Sequence, residues 1–186
     1  MEKKEIINIF AAYTWTVDVD NDSDTGKKKN KFSGRAIKEI ITRVQLRLDN
    51  YQDKNPDIVL PKLFYSRLRS TSGSFVFESI RERMSNAYAV IFDITDKNPN
   101  VMLELGIALE LQRNIEHPAK VFLIACAESF SDELLPSDLR GYFLTTYWID
   151  ETQKLFFGDS GSLVMRIFSD ILELTRVAYV EESTYE

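Results

Sequence analysis

Apolar residues gather in short runs separated by longer stretches of helical period, and the two alternate along the chain. Ile6 to Tyr13 is an apolar run rich in β-formers, with charge on one side and a polar segment on the other, and it predicts a buried first strand. From Gly34 to Leu48 the residues Ile37, Ile40, Ile41, Val44 and Leu48 recur at three- and four-residue intervals, the spacing of an amphipathic helix. Asp57 to Leu60, between Pro56 and Pro61, predicts a short second strand, whereas Lys62 to Gly73 has no clean period and is expected as loop or irregular structure. A second helix is expected from Phe75 to Asn86, with Phe77, Ile80 and Met84 on one face, leading into a strand from Tyr88 to Asp93. Asn98-Pro99 marks a helix start, because Asn caps the first turn and Pro at the first helical position gives up an N–H that had no intrahelical partner. That helix is expected to reach Arg113. Val121 to Cys126 and Tyr142 to Ile149 predict the fourth and fifth strands, and Leu163 to Val177 a closing helix packed through Val164, Ile167, Phe168, Ile171 and Leu174.

Strands that alternate with helices specify a parallel sheet, because parallel neighbours need right-handed crossovers of a dozen or more residues. The expected fold is therefore α/β: a single domain over residues 1–186, in three layers, with a mostly parallel five-stranded sheet in the flavodoxin-like order 2-1-3-4-5. Residues 16–33 break the alternation and are expected as a polar, charged loop. Asp20, Asp22 and Asp24 there have the spacing of the first three EF-hand ligands. The turn glycine nevertheless comes one place late at Gly26, and Lys31 stands where a bidentate Glu is required, so no calcium loop is expected.

Composition narrows the function classes. With 44% apolar and 12% aromatic residues in 186, the chain has enough material for a sizeable core. No apolar run approaches the roughly 20 residues of a membrane span, so no membrane partner is expected. A net charge of -6 removes the global electrostatic drive for non-specific nucleic-acid binding and leaves only a local basic patch open, so no nucleic-acid partner is expected. A single cysteine, Cys126, excludes a disulfide framework and a multi-Cys zinc site, and the single His117 leaves little for other metal sites, so no metal is expected. A triad would have to run through that one imidazole. Met1-Glu2-Lys3-Lys4-Glu5 does not read as a secretory signal, and a cytoplasmic protein is expected.

Open α/β sheets bind ligands beyond the carboxyl ends of their strands. The loop after Asp93 leads into Val101-Met102-Leu103-Glu104-Leu105-Gly106-Ile107-Ala108-Leu109, where seven of nine positions are apolar and Glu104 is the lone carboxylate. A helix apolar nearly all round is expected to be buried. Glu104 then either points toward the crevice, where desolvation would raise its pKa, or lies on a narrow solvent stripe with Glu110; the pattern allows both.

The block Tyr88-Ala89-Val90-Ile91-Phe92-Asp93-Ile94-Thr95, followed by Asn98-Pro99-Asn100-Val101 and Glu104-Leu105-Gly106-Ile107-Ala108, resembles the signature of TIR-like predicted nucleotide-binding proteins, relatives of the nucleoside 2-deoxyribosyltransferases. The first strand, the helix Ser79 to Met84 and Leu135-Pro136-Ser137-Asp138-Leu139-Arg140-Gly141 agree in order. The segment between the first two strands departs from an ordinary TIR loop by its Asp and Lys runs. The resemblance implies a TIR-like fold in which Glu104 is the catalytic carboxylate acting on an N-glycosidic bond. It would attack the sugar as in the deoxyribosyltransferases, or support cleavage of the nicotinamide–ribose bond of NAD+ as in enzymatic TIR domains. No cofactor is implied, NAD+ entering as substrate, and by the same resemblance the protein would serve bacterial immunity as a homo-oligomer. Rival readings are a module that binds a nucleotide signal without cleaving it, and a nucleoside 2-deoxyribosyltransferase.

Around Glu104, further residues are candidates for binding a nucleotide or nucleoside. Asp93 ends its strand at the crevice, where a carboxylate either accepts hydrogen bonds from a base or ribose or orders the turn. Asn98 is a helix cap first and a ligand second, and Asn100 is placed to face a ribose. Ser74, in Ser72-Gly73-Ser74, caps a helix or offers amides to a phosphate. Tyr13 and Trp15 stack a base or are ordinary rim aromatics.

Overall fold

The computed structural model describes residues 6–13, 27–67, 76–114, 119–128, 130, 139, 144–152, 154–158 and 160–183. Six strands and four helices follow in the order β1 (Ile6–Ala12), α1 (Lys27–Lys54), β2 (Lys62–Arg67), α2 (Val76–Ser85), β3 (Ala89–Asp93), α3 (Pro99–Asn114), β4 (Lys120–Cys126), β5 (Leu144–Ile149), β6 (Leu155–Phe157) and α4 (Ser160–Ser183). They form one sheet in the order β2-β1-β3-β4-β5-β6, parallel except for the antiparallel β5–β6 pair.

Period-two alternation sends successive side chains of each strand to opposite faces. Ile9 and Ala11 of β1, Ala89 and Ile91 of β3, and Phe122 and Ile124 of β4 pack against α1 and α4. Phe10 and Ala12, Val90 and Phe92, and Leu123 and Ala125 pack against α2 and α3. Strands β1, β3 and β4 are buried on both faces, which is why they read as unbroken apolar runs. The helices present single stripes: Ile37, Ile40, Val44 and Leu48 of α1 and Ile167 and Ile171 of α4 are all buried. No helix among the described residues is long and apolar enough to cross a membrane.

Three expectations are corrected. The second strand is not Asp57 to Leu60 but Lys62–Arg67, in parallel register with β1. Helix α1 runs on to Lys54, where Asn55 Nδ2 donates to Tyr51 O at 2.8 Å and Pro56 prevents further helix, so Asp57 and Ile58 belong to the turn that leaves it. As an edge strand β2 has one neighbour, and its exposed Phe64 blurs the alternation that would have marked it. The edge is blunted by α1, since the Leu63 N–H donates to Gln45 Oε1 at 2.8 Å.

The sheet has six strands rather than five. Strand β6 is only three residues long, too short to show a period, and is joined to β5 by a turn in which the Asp150 carboxylate accepts from Thr152 N and Lys154 N. Within residues 16–33, helix α1 already begins at Lys27, so the Lys run lies on helix rather than loop; residues 16–26 lie outside the described residues. Lysine is a good helix former but carries no apolar marker of period.

Candidate functional site

The sheet order creates a reversal between β1 and β3. The crossover from β1 runs through α1 on one face, whereas the crossover from β3 runs through α3 on the other, which makes the carboxyl ends of these two strands the switch point, where open α/β sheets form their ligand crevice. Tyr13 follows the end of β1, Asp93 ends β3, and α3 starts six residues after Asp93.

Helix α3 is held at its start as its sequence predicts. Asn98 Oδ1 accepts the Asn100 N–H at 2.9 Å, and Asn98 O receives the first helical bond from Met102 N at 2.9 Å. Asn98 is thus a cap, and Asn100 is exposed in the first turn. The expectation of an all-round buried helix is corrected: Val101, Leu105, Ala108 and Leu111 form one buried stripe, while Leu103 is 49% exposed and Gly106 faces open space. The apolar excess of α3 therefore lies partly on its outer surface.

Glu104 sits beside the buried stripe. It is half-buried, and among the described residues it has no hydrogen-bond or ion-pair partner. Burial alone pushes its carboxyl from 4.5 up to about 7. Glu110 differs, because its carboxylate pairs with Arg81 of α2 at 2.8 Å. Helical period turns Glu104 to the same flank as Asn100, Ile107 and Leu111, and right-handed crossovers place α2 and β1 on that flank. The two carboxylates of α3 are therefore unlike: one is spent on a neighbouring helix, the other is desolvated and uncompensated.

Asp93 is 1% exposed and points to the α1/α4 face. Its Oδ1 accepts from Thr95 N at 2.9 Å and from Thr95 Oγ1, and its Oδ2 accepts from Tyr147 OH at 2.7 Å. Thr95 Oγ1 in turn accepts from Cys126 N at 2.8 Å. The carboxylate orders the turn after β3, and that turn-ordering role is the one its geometry displays. Neither Thr95 nor Tyr147 is singled out by sequence reasoning. The Asp-x-Thr spacing after a strand is a turn signal that could have revealed the first, but Tyr147 lies 54 residues further on and only the fold brings it in.

Tyr13 also points to the α1/α4 face, its hydroxyl 3.2 Å from that of Tyr65. Its ring lies against Gly34 of α1, where a Cβ would come within 2.8 Å of Tyr13 Cε2. Gly34→Ala gains about 1 kcal/mol of helix propensity but overpacks a hydrogen-bonded ring, at a cost of about 1–3 kcal/mol. A lowered Tm, together with a changed Tyr13 environment by NMR, is the expected result. Tyr13 and Asp93 thus share one face at the crevice, and Glu104 approaches from the helix on the other. Ser74 and Trp15 lie outside the described residues. Among the described residues no group of three His, Cys, Asp or Glu could hold a metal ion.

No protein family, curated protein or solved structure matches the chain.

Proposed function

We propose that the chain is a TIR-like N-glycosidase that cleaves the nicotinamide–ribose bond of NAD+ or a related nucleotide, with Glu104 as catalytic carboxylate. The observation that carries the reading is the half-buried Glu104 carboxyl, unpaired among the described residues and raised to about 7 by desolvation, on the helix that flanks the β1/β3 switch point. The mostly parallel sheet and its switch point support the finer assignment to a three-layer, flavodoxin-like, TIR-like fold.

Loss of nicotinamide leaves an oxocarbenium-like ribose. A carboxylate beside the anomeric carbon stabilises that charge or bonds to it, and water completes hydrolysis. That no described residue pairs with Glu104 matters here. A carboxylate already paired would have less attraction left for positive charge developing on the sugar, whereas an unpaired and poorly hydrated one gains most when that charge appears. Asn98 and Asn100 at the start of α3 are the polar groups offered to the ribose. In this reading Asp93 orders the turn and does not touch substrate. The protein would act in the bacterial cytoplasm, in antiphage immunity, as a homo-oligomer.

Incubation of concentrated protein with NAD+, and separately with deoxynucleosides plus free bases, tests the reading by chromatography of the products. Release of free nicotinamide is expected. Base exchange on deoxyribose would instead identify a nucleoside 2-deoxyribosyltransferase, and saturable nucleotide binding without turnover a signal-binding module.

A further inference from the structure

We infer that Tyr147 is a positioning residue for Glu104: through Asp93 and Thr95 it fixes the turn that launches α3, and so sets where Glu104 stands in the crevice. The catalytic part of this inference rests on the reading proposed above; the mechanical part rests on geometry alone.

Tyr147 is fully buried and Asp93 nearly so, and a 2.7 Å hydrogen bond joins them across the sheet. Burying a carboxylate is costly unless its lone pairs are filled, and apolar residues of the same volume would hold the strands together as well. What a filled polar cluster adds is a single orientation of the groups it binds. Here it binds the turn. Asp93 Oδ1 takes both the main-chain and side-chain donors of Thr95, and Thr95 Oγ1 is anchored to β4 through Cys126 N.

The turn is gripped from both faces of the sheet. Asp93 is held toward α1 and α4, while Ile94, 2% exposed, enters the opposite core with Val101 and Leu105 of α3. The Ile94 N–H donates to Ile124 O at 2.9 Å, and the Lys97 N–H donates to Ile94 O at 3.1 Å. Lys97 is held at a φ of 45°, a conformation that a non-glycine residue keeps only when its surroundings impose it. A continuous run of hydrogen bonds and buried contacts thus links the Tyr147 hydroxyl to the turn that opens α3, and Glu104 is the immediate neighbour of Leu105. A release at Asp93 moves the turn, the turn moves the helix start, and water reaches the flank that carries Glu104.

The test is a 13C NMR titration of labelled glutamate carboxyls in the full chain, with Glu104 assigned through Glu104→Gln. Tyr147→Phe keeps the ring and deletes only its hydroxyl, and Thr95→Val deletes the same cluster from its other side. Both are expected to lower the Glu104 midpoint by about one pH unit, toward the ordinary carboxyl range. Thr95→Ser, which keeps the hydroxyl, and Ile167→Val, which weakens the core at α4, are expected to leave it in place. With NAD+ as substrate, Tyr147→Phe should lower kcat about tenfold and leave KM within about twofold, as loss of position rather than of binding. A wild-type Glu104 midpoint retained in both Tyr147→Phe and Thr95→Val, with only Tm reduced, overturns the inference. So does an equal shift in Ile167→Val. If the wild-type chain releases no nicotinamide, the enzymatic reading fails by itself and the titration still decides the positioning role.

Discussion

Asp93→Ala is expected to destabilise the fold by about 3–4 kcal/mol, well beyond the loss of an ordinary point substitution. The carboxylate is 1% exposed and receives donors from Thr95 and Tyr147. Alanine takes the Asp93 acceptor from the Tyr147 hydroxyl and from both donors of Thr95 in a region that water reaches poorly, and a buried polar group that loses its acceptor costs about 1–3 kcal/mol. Asp93→Asn keeps one oxygen for both Thr95 donors and turns its amide to Tyr147, whose hydroxyl then accepts instead of donating, so a smaller loss of about 1 kcal/mol is expected. Urea denaturation of the two variants beside wild type checks the ranking. Equal and small losses, under about 1 kcal/mol, would mean that the cluster contributes little to the fold.

Glu104→Gln is expected to act in the opposite direction. The folded carboxyl is raised from 4.5 to about 7, so the fold favours its protonated form. Below the unfolded value both states are protonated and the group has no effect. As pH rises, the unfolded chain ionises first while the fold resists. The penalty therefore grows from about pH 4.5 and levels off above about 7. Glutamine never ionises and escapes it. The half-buried side chain keeps some water, which screens the effect to about 1–2 kcal/mol. Glu104→Gln should thus be more stable than wild type by that amount at pH 8, and equal to it below about pH 4. Most substitutions destabilise, and a gain confined to the high-pH side is the signature of a carboxylate retained against the interest of the fold. A gain independent of pH would point to packing instead of charge.

The sequence made the central part of this molecule legible, and the reasons are physical. Strands β1, β3 and β4 are buried on both faces and leave continuous apolar runs, and α3 announces its start with a cap and a proline. The edges were harder to read. Strand β2 has one neighbour and an outward Phe64, and β6 has three residues, so neither carries enough positions for its period to rise above the local noise. The Lys run of α1 hid a helix because charge carries no face. Glu104 stood out as the lone carboxylate of an apolar stretch, but whether it was paired depended on α2, which takes Glu110 through Arg81 and leaves Glu104 without a partner among the described residues. The partner of Asp93 was invisible for a related reason: Tyr147 is close in space only because β4 and β5 pair in register.

The catalytic role of Glu104 is tested most directly by nicotinamide release from NAD+ by wild type and Glu104→Gln side by side, at matched concentration and with both shown to be folded. Wild type is expected to release nicotinamide, and the variant to fall by about a thousandfold or more, the loss expected for a carboxylate that acts on the reacting sugar. Release by Glu104→Gln at the wild-type rate would contradict that role.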